Sequence, residues 1–218
     1  MAASDTQTSD PLLARAFAAS SPSESRSLYD QWASTYDTSM SAHNFTAPQL
    51  VAAAVARGLK TNHIAPSAPL SGLKILDAGC GTGLVGIALS QLGATAIVGV
   101  DFSEGMLAVA QNTRAYNELR IADLTQRLEF GDATFDALTC CGVFTHGHLG
   151  PKPLEEFVRV VKCGGVVVAT VLESFWNEQG FERVMGMLEA EAKVDVVEKK
   201  LWAYREGVEG RVLVLRKL

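Results

Sequence analysis

The chain has 218 residues, 48% hydrophobic and 7% aromatic, with a formal net charge of −5. That length suits one α/β domain able to bury roughly 70% of its unfolded surface. The acidic balance leaves no basic stripe for nucleic acid, and no apolar run approaches the length of a membrane span. Cys80, Cys140, Cys141 and Cys163 lack paired C-x-x-C spacing, so reduced thiols in a cytoplasmic protein are expected.

Residues 1–24 are rich in Ser, Ala and Thr and read as a disordered tail with a short helix around Leu12 to Ala19, with no leader sequence. Ser25 to Tyr36 reads as a helix, followed by a polar loop to Asn44. Thr46–Gly58 reads as a second helix, with Pro48 in its first turn and Gly58 at its end. Asn62 to Ser71, with Pro66 and Pro69, is a linker. Strands are then expected near 73–77, 95–100, 118–122, 135–141 and 164–171, with helices near 84–92, 103–114, 151–162 and 176–192. Such alternation implies a parallel sheet with right-handed crossovers. Only Asp123 to Thr134 separates the third and fourth strands, too little for more than one helical turn. Two last strands, near 194–203 and 209–217, meet at Gly207 as an antiparallel hairpin.

Ile75-Leu76-Asp77-Ala78-Gly79-Cys80-Gly81-Thr82-Gly83-Leu84 is the most informative stretch. A strand ends in a carboxylate, three glycines alternate, and a helix follows. Glycine suits a turn that needs positive φ or close ligand approach, and the free N–H groups at a helix N-terminus can hold a nucleoside or an anion. Gly81, Gly83 and Gly86 also satisfy the dinucleotide pattern, with Asp101 at its required acidic position. Asp77, ahead of the first glycine, would repel a pyrophosphate. It suits a cofactor with an ammonium group and no phosphate, such as S-adenosylmethionine.

These residues carry a resemblance. Asp77 to Gly83, followed by Gly99-Val100-Asp101-Phe102-Ser103-x-x-Met106-Leu107, resembles motif I and its successor in class I S-adenosylmethionine-dependent methyltransferases. Leu28-Tyr29-Asp30-x-Trp32-Ala33-x-x-Tyr36-Asp37 is similar to the N-terminal signature of the ubiquinone-biosynthesis-type group. Leu128 to Ala137 and Phe157 to Gly165 resemble stretches leading into the fourth and fifth strands. With Thr145-His146-Gly147-His148, the pattern is similar to the methyltransferase-like proteins of the Williams–Beuren region. The resemblance implies one Rossmann-like domain over 25–218, whose sheet has six parallel strands and an antiparallel seventh, with helices on both faces. It also implies that residues 25–60 form a helical lid.

Cofactor contact is accordingly expected from Asp77, Gly79, Cys80, Gly81 and Gly83, and from Asp101 through the ribose hydroxyls. Phe102 and Met106 are expected at the adenine ring, Asp123 at its amino group with Leu124 beside it, and Cys141 where the fourth strand ends. The lid resemblance adds Tyr29 and Tyr36. His146 and His148 follow the fourth strand and are the candidate catalytic bases, a role worth ~10²–10⁴-fold where a proton must leave. Phe45, Phe144, Glu173 and Trp176 are expected to rim the substrate cavity. No metal site is expected, the partner is a small-molecule acceptor, and the oligomeric state is left open. Two rival readings stand. An NAD(P)-dependent oxidoreductase is disfavoured because no Tyr has Lys four positions later; a non-methylating protein that keeps the cofactor pocket is the other.

Overall fold

Side-chain alternation along the strands sets the architecture. Val166 and Val168 belong to one core, Val167 and Ala169 to another, so the middle of the sheet is buried on both faces. The computed structural model describes residues 10–61, 65–205 and 207–218. The strands are β1 (Lys74–Ala78), β2 (Ala96–Asp101), β3 (Glu118–Ile121), β4 (Phe135–Phe144), β5 (Val161–Leu172), β6 (Val194–Arg205) and β7 (Val208–Lys217). They lie in the order β3-β2-β1-β4-β5-β7-β6. β3, β2, β1, β4 and β5 pair in parallel, and β7 is antiparallel to both β5 and β6. Six strands therefore point one way and β7 the other, the mixed seven-stranded sheet anticipated above.

Helices α4 (Ala47–Gly58) and α5 (Leu84–Gln91) cover one face, with Val51, Val55, Val85 and Leu89 against Ile75 and Ile97. On the other, α7 (Pro153–Val160), α8 (Glu173–Gln179) and α9 (Phe181–Ala190) place Leu154, Phe157, Phe181 and Met185 against Leu138 and Leu213. Between β2 and β3 lies α6 (Glu104–Thr113).

Four helices precede the sheet; the first lies where a short helix was expected, and the next two differ from expectation. α1 (Pro11–Ala18) is capped by Asp10, whose Oδ1 accepts from Leu12 N at 2.9 Å. α2 (Pro22–Trp32) starts three residues early because Ser21 Oγ accepts from Glu24 N, while Glu24 reaches back to Ser20 N. The expected polar loop is instead α3 (Tyr36–Ala42), held by burial of Met40. The single helix expected over 176–192 is two, broken at Gly180, whose φ of 71° is left-handed. Residues 1–9 of the expected tail and 62–64 of the expected linker lie outside the described residues.

Leu13, Ala16, Leu28, Trp32 and Met40 give α1–α3 a small core of their own. This cap sits on the C-terminal edge of the sheet through polar contacts. Asp30 accepts from Ser103 Oγ at 2.6 Å and Gly105 N at 2.9 Å, at the N-terminus of α6. Thr82 Oγ1 donates to Asp37 at 2.5 Å. Gly147, with φ of 75°, meets the end of α1 so closely that a Cβ would lie 2.4 Å from the Ala16 carbonyl oxygen. Among the described residues no helix is long and apolar enough to cross a membrane.

Gly147→Ala should therefore push α1 off the loop after β4. We expect a loss of ~1–3 kcal/mol in urea unfolding, the usual cost of overpacking, and faster proteolytic cleavage near Ser20. Wild-type cleavage kinetics would show that this seat is not tight.

Candidate active site

The turn after β1 takes its shape from glycines with φ of 73° (Gly79), 53° (Gly81) and 98° (Gly83). A Cβ on Gly81 would meet nothing within 4 Å, because that side faces open space. Gly81 N donates to Asp101 Oδ2 at 2.9 Å and Ser103 N to Oδ1 at 3.0 Å. One buried carboxylate thus ties the turn after β1 to the turn after β2. Burial raises the Asp101 pKa, and the amide donors oppose that rise.

A cavity of about 380 Å³ opens over this turn. Phe102, Met106, Asp123 and Leu124 wall it on the β2–β3 side, and Cys141, Val143, His148 and Leu149 on the β4 side. Tyr29, Tyr36 and the chain from Ala19 to Pro22 roof it, with Ser25 and Arg26 beside them. Arg26 lies 6.0 Å over the Phe102 ring. Asp123 Oδ1 accepts from Thr125 N and Oγ1, and the residue lines the cavity. Burial pushes the Cys141 thiol up to about 12, so it stays protonated. The site offers an apolar slot, a carboxylate at the expected ribose position, and a glycine cradle that a Cβ would fill. These fit an adenosine bearing a small zwitterionic tail.

His148 belongs to the cavity and His146 does not. The Nδ1 of His148 lies 2.8 Å from Thr145 Oγ1 and 3.0 Å from the His146 carbonyl oxygen; a proton assigned to Nδ1 serves both, since the carbonyl only accepts and the hydroxyl can. Nε2 is then the acceptor for the Tyr29 hydroxyl at 2.9 Å. Burial lowers the His148 pKa and keeps the ring neutral. His146 instead turns to α8, with Nε2 on Ser174 Oγ at 2.8 Å and its edge on Phe175.

The expected substrate rim is corrected in the same way. Phe144 is fully buried against Phe157 and Phe181, and Trp176 stacks on Phe181. Glu173 is held by Arg211 through both carboxylate oxygens, at 2.6 and 2.7 Å. Phe45 packs edge-on against Tyr204, next to Gly142 but outside the cavity wall. Three expected cofactor contacts lie beneath the wall instead. Asp77 is fully buried and takes hydrogen bonds from Tyr116 and Thr139. Cys80 is buried, and Gly83 sits against Thr113 and Tyr116. The part of the roof from Ala19 to Pro22, ahead of the lid expected over 25–60, was not anticipated, although Ser21-x-x-Glu24 is a legible capping signal.

Residues 76–169 match the family model described as a methyltransferase domain. That stretch is a methyltransferase domain of the S-adenosylmethionine-dependent kind. It is 35% identical over 163 residues to human methyltransferase-like protein 27, covering 74% of this chain and 63% of that protein. It is 32% identical to the rat mitochondrial ubiquinone biosynthesis O-methyltransferase, covering 64% of this chain and 41% of that protein. The chain thus spans less than two thirds of either relative. The fold matches a Haloferax volcanii methyltransferase solved in complex with the Trm112 activator, with a TM-score of 0.65 and 18% identity over 88% of this chain and 96% of that one. The domain match, which spans Gly81, Gly83 and Gly86, decides against their dinucleotide reading.

In this methyltransferase fold Asp101 braces the glycine turn and also faces the cavity. Asp101→Ala should weaken S-adenosylmethionine binding by ~1–3 kcal/mol, since two amides lose their acceptor. A calorimetric titration equal to wild type would place the cofactor elsewhere.

Proposed function

We propose that the chain transfers a methyl group from S-adenosylmethionine to a small hydroxyl-bearing acceptor in the cytoplasm. The observation that carries the reading is the Tyr29–His148 hydrogen bond in the cavity wall. When bound, the cofactor supplies an electrophilic methyl on a sulfonium and needs only an aligned nucleophile. Gly79, Gly81 and Asp101 would hold it, with Phe102, Met106 and Leu124 around the adenine and Asp123 near its amino group.

The chain's own residues then handle the proton. Tyr29 is kept as a neutral hydroxyl, because burial and the nearby Asp101 raise its pKa. Its oxygen retains lone pairs for an incoming acceptor hydroxyl. As the acceptor's proton passes to the Tyr29 oxygen, the Tyr29 proton passes to His148 Nε2, and the imidazole becomes imidazolium. Cys141 cannot compete as a base while its thiol is protonated. The aromatic roof of Tyr29 and Tyr36 excludes water, and alignment supplies much of the rate. The cytoplasmic setting is supported by four free cysteines, a pattern that suits a reducing compartment.

Two measurements test this reading. S-adenosylmethionine at a hundredfold excess over Kd should stabilise the fold by ~2.7 kcal/mol, seen as a raised Tm, while NAD should leave it unchanged. A shift with NAD alone would defeat the reading.

In a screen of phenolic and other hydroxylated metabolites, His148→Ala should lower kcat/KM for the turned-over acceptor by ~10²–10⁴-fold. Cofactor affinity should stay nearly constant. Wild-type kcat/KM should fall as pH drops below the ordinary histidine range, because protonated His148 no longer accepts. If Tyr29→Phe and His148→Ala instead weaken cofactor binding and leave kcat untouched, the pair is only a latch for the cap.

A further inference from the structure

Three glycines crowd around one aromatic ring. A Cβ on Gly86 would lie 2.3 Å from Tyr116 Cζ, one on Gly99 2.9 Å from Cδ1, and one on Gly83 3.1 Å from Cε2. The β1 turn, β2 and the start of α5 all leave room for Tyr116, which stands between α6 and β3. Its hydroxyl is used twice: it donates to Asp77 Oδ2 at 2.7 Å and accepts from Gly86 N at 3.1 Å. From β4, Thr139 Oγ1 donates to the other oxygen, Asp77 Oδ1, at 2.7 Å. Asp77 is fully buried at the end of β1, directly below the cavity floor at Gly79 and Gly81. The carboxylate is therefore satisfied from beneath and does not touch the cavity.

We propose that Tyr116 is a positioning residue. It holds Asp77 as a carboxylate under the glycine cradle and fixes the first turn of α5, and the buried charge favours a cationic cofactor above it. The inference rests on the reading that S-adenosylmethionine occupies the cavity. Burying a carboxylate is costly unless donors satisfy it, and two hydroxyls supply them here. Such a charge, screened from water, acts more strongly on a nearby cation than it would in solvent.

The sign of the pH dependence follows. Burial pushes the Asp77 pKa up to about 6, and the Tyr116 and Thr139 donors hold it from rising further. Above that value Asp77 is ionised and attracts the cofactor; as pH falls through it, the attraction is lost. Tyr116 and Thr139 face Asp77 directly, Asp101 and Cys80 lie close on neighbouring turns, and Cys140 and Cys141 on β4 feel its charge. Across the cavity His148 gains charge as pH falls and also disfavours a cation, so the effect is read by comparing variants at each pH.

The experiment is calorimetric titration of S-adenosylmethionine from pH 5 to 8.5 into wild type, Tyr116→Phe, Thr139→Val and Asp77→Asn, with Tm followed in parallel. Tyr116→Phe keeps the ring in its glycine seat and removes only the hydroxyl. It should move the acid-side loss of affinity upward by about one pH unit, the order of one hydrogen bond to a charged acceptor. Affinity at pH 8.5 should stay within about threefold of wild type, since Asp77 is ionised there in both proteins. Thr139→Val should shift the loss in the same direction from a different strand, which preserves the test if the tyrosine variant folds poorly. Asp77→Asn should bind more weakly than wild type at high pH and keep only the dependence due to His148 and Asp101. Binding curves in Tyr116→Phe and Thr139→Val that run parallel to wild type at every pH would overturn the proposal, because a purely structural role lowers affinity without moving the midpoint. Absence of wild-type binding at pH 8.5 would overturn the cofactor reading, and this inference with it.

Discussion

Two backbone amides from different turns, those of Gly81 and Ser103, converge on the carboxylate of Asp101. The turn after β1 and the turn after β2 would otherwise be independent loops at the sheet edge. Each amide left unpaired in a buried site would cost ~1–3 kcal/mol, so the turns are held in register through one side chain. The same two oxygens have lone pairs to spare, and Asp101 lines the cavity. A cofactor binding here meets a site already ordered by the fold, and little further ordering is needed.

The cap of α1–α3 depends on that edge in a different way. Its own cohesion is hydrophobic, from Leu28, Trp32 and Met40, each at most 6% exposed. Its attachment includes polar contacts, Asp30 on the start of α6, Asp37 on Thr82 and Tyr29 on His148, beside the packing of Phe17 and the Tyr29–Phe102 ring contact. The hydrogen bonds contribute ~0.5–1.5 kcal/mol each in net terms, rather more where a carboxylate accepts. A leucine buried in the cap core contributes ~1.5–3 kcal/mol. Opening the cavity therefore costs least along the seam between cap and sheet, with the three helices staying together. Thr82 lies in the glycine motif and Ser103 in the next, so the cap docks on the same two turns that Asp101 joins.

The sheet was legible because its signals are local and redundant. Apolar runs of strand length alternate with helical ones, and Gly207 marks the hairpin that turns β7 against β5. The cap was less legible. α3 has Ser, Thr and Asp at most positions, and only Met40 packing on Trp32 and its neighbours makes it helical. Gly180 looks tolerable inside a helix from sequence alone, but a φ of 71° ends α8 there. The cavity wall at Gly79, Gly81, Asp101, Phe102 and Met106 lies where motif spacing points. Motif spacing does not point to Tyr116, because nothing in its neighbourhood shows that three distant glycines make room for it.

Phe144 and His146, both placed away from the cavity, share one cause, which is the geometry of β4 beyond Cys140. Four steps along β4, from Cys140 to Phe144, match only two along β5, from Ala169 to Val171. The extra length bulges outward, with Gly142 at a φ of 76° and its N–H tied to Thr170 Oγ1 at 3.0 Å. A bulge re-aims side chains. Cys141, Gly142 and Val143 turn to the cavity, while Phe144 returns to the pleat and goes into the core. Simple alternation from Cys140 cannot place three successive residues on one wall. The bulge also sets where the chain re-emerges, so His146 leans on α8 while His148, two residues on, reaches Tyr29. Which histidine serves the site is thus decided by two extra residues in a strand.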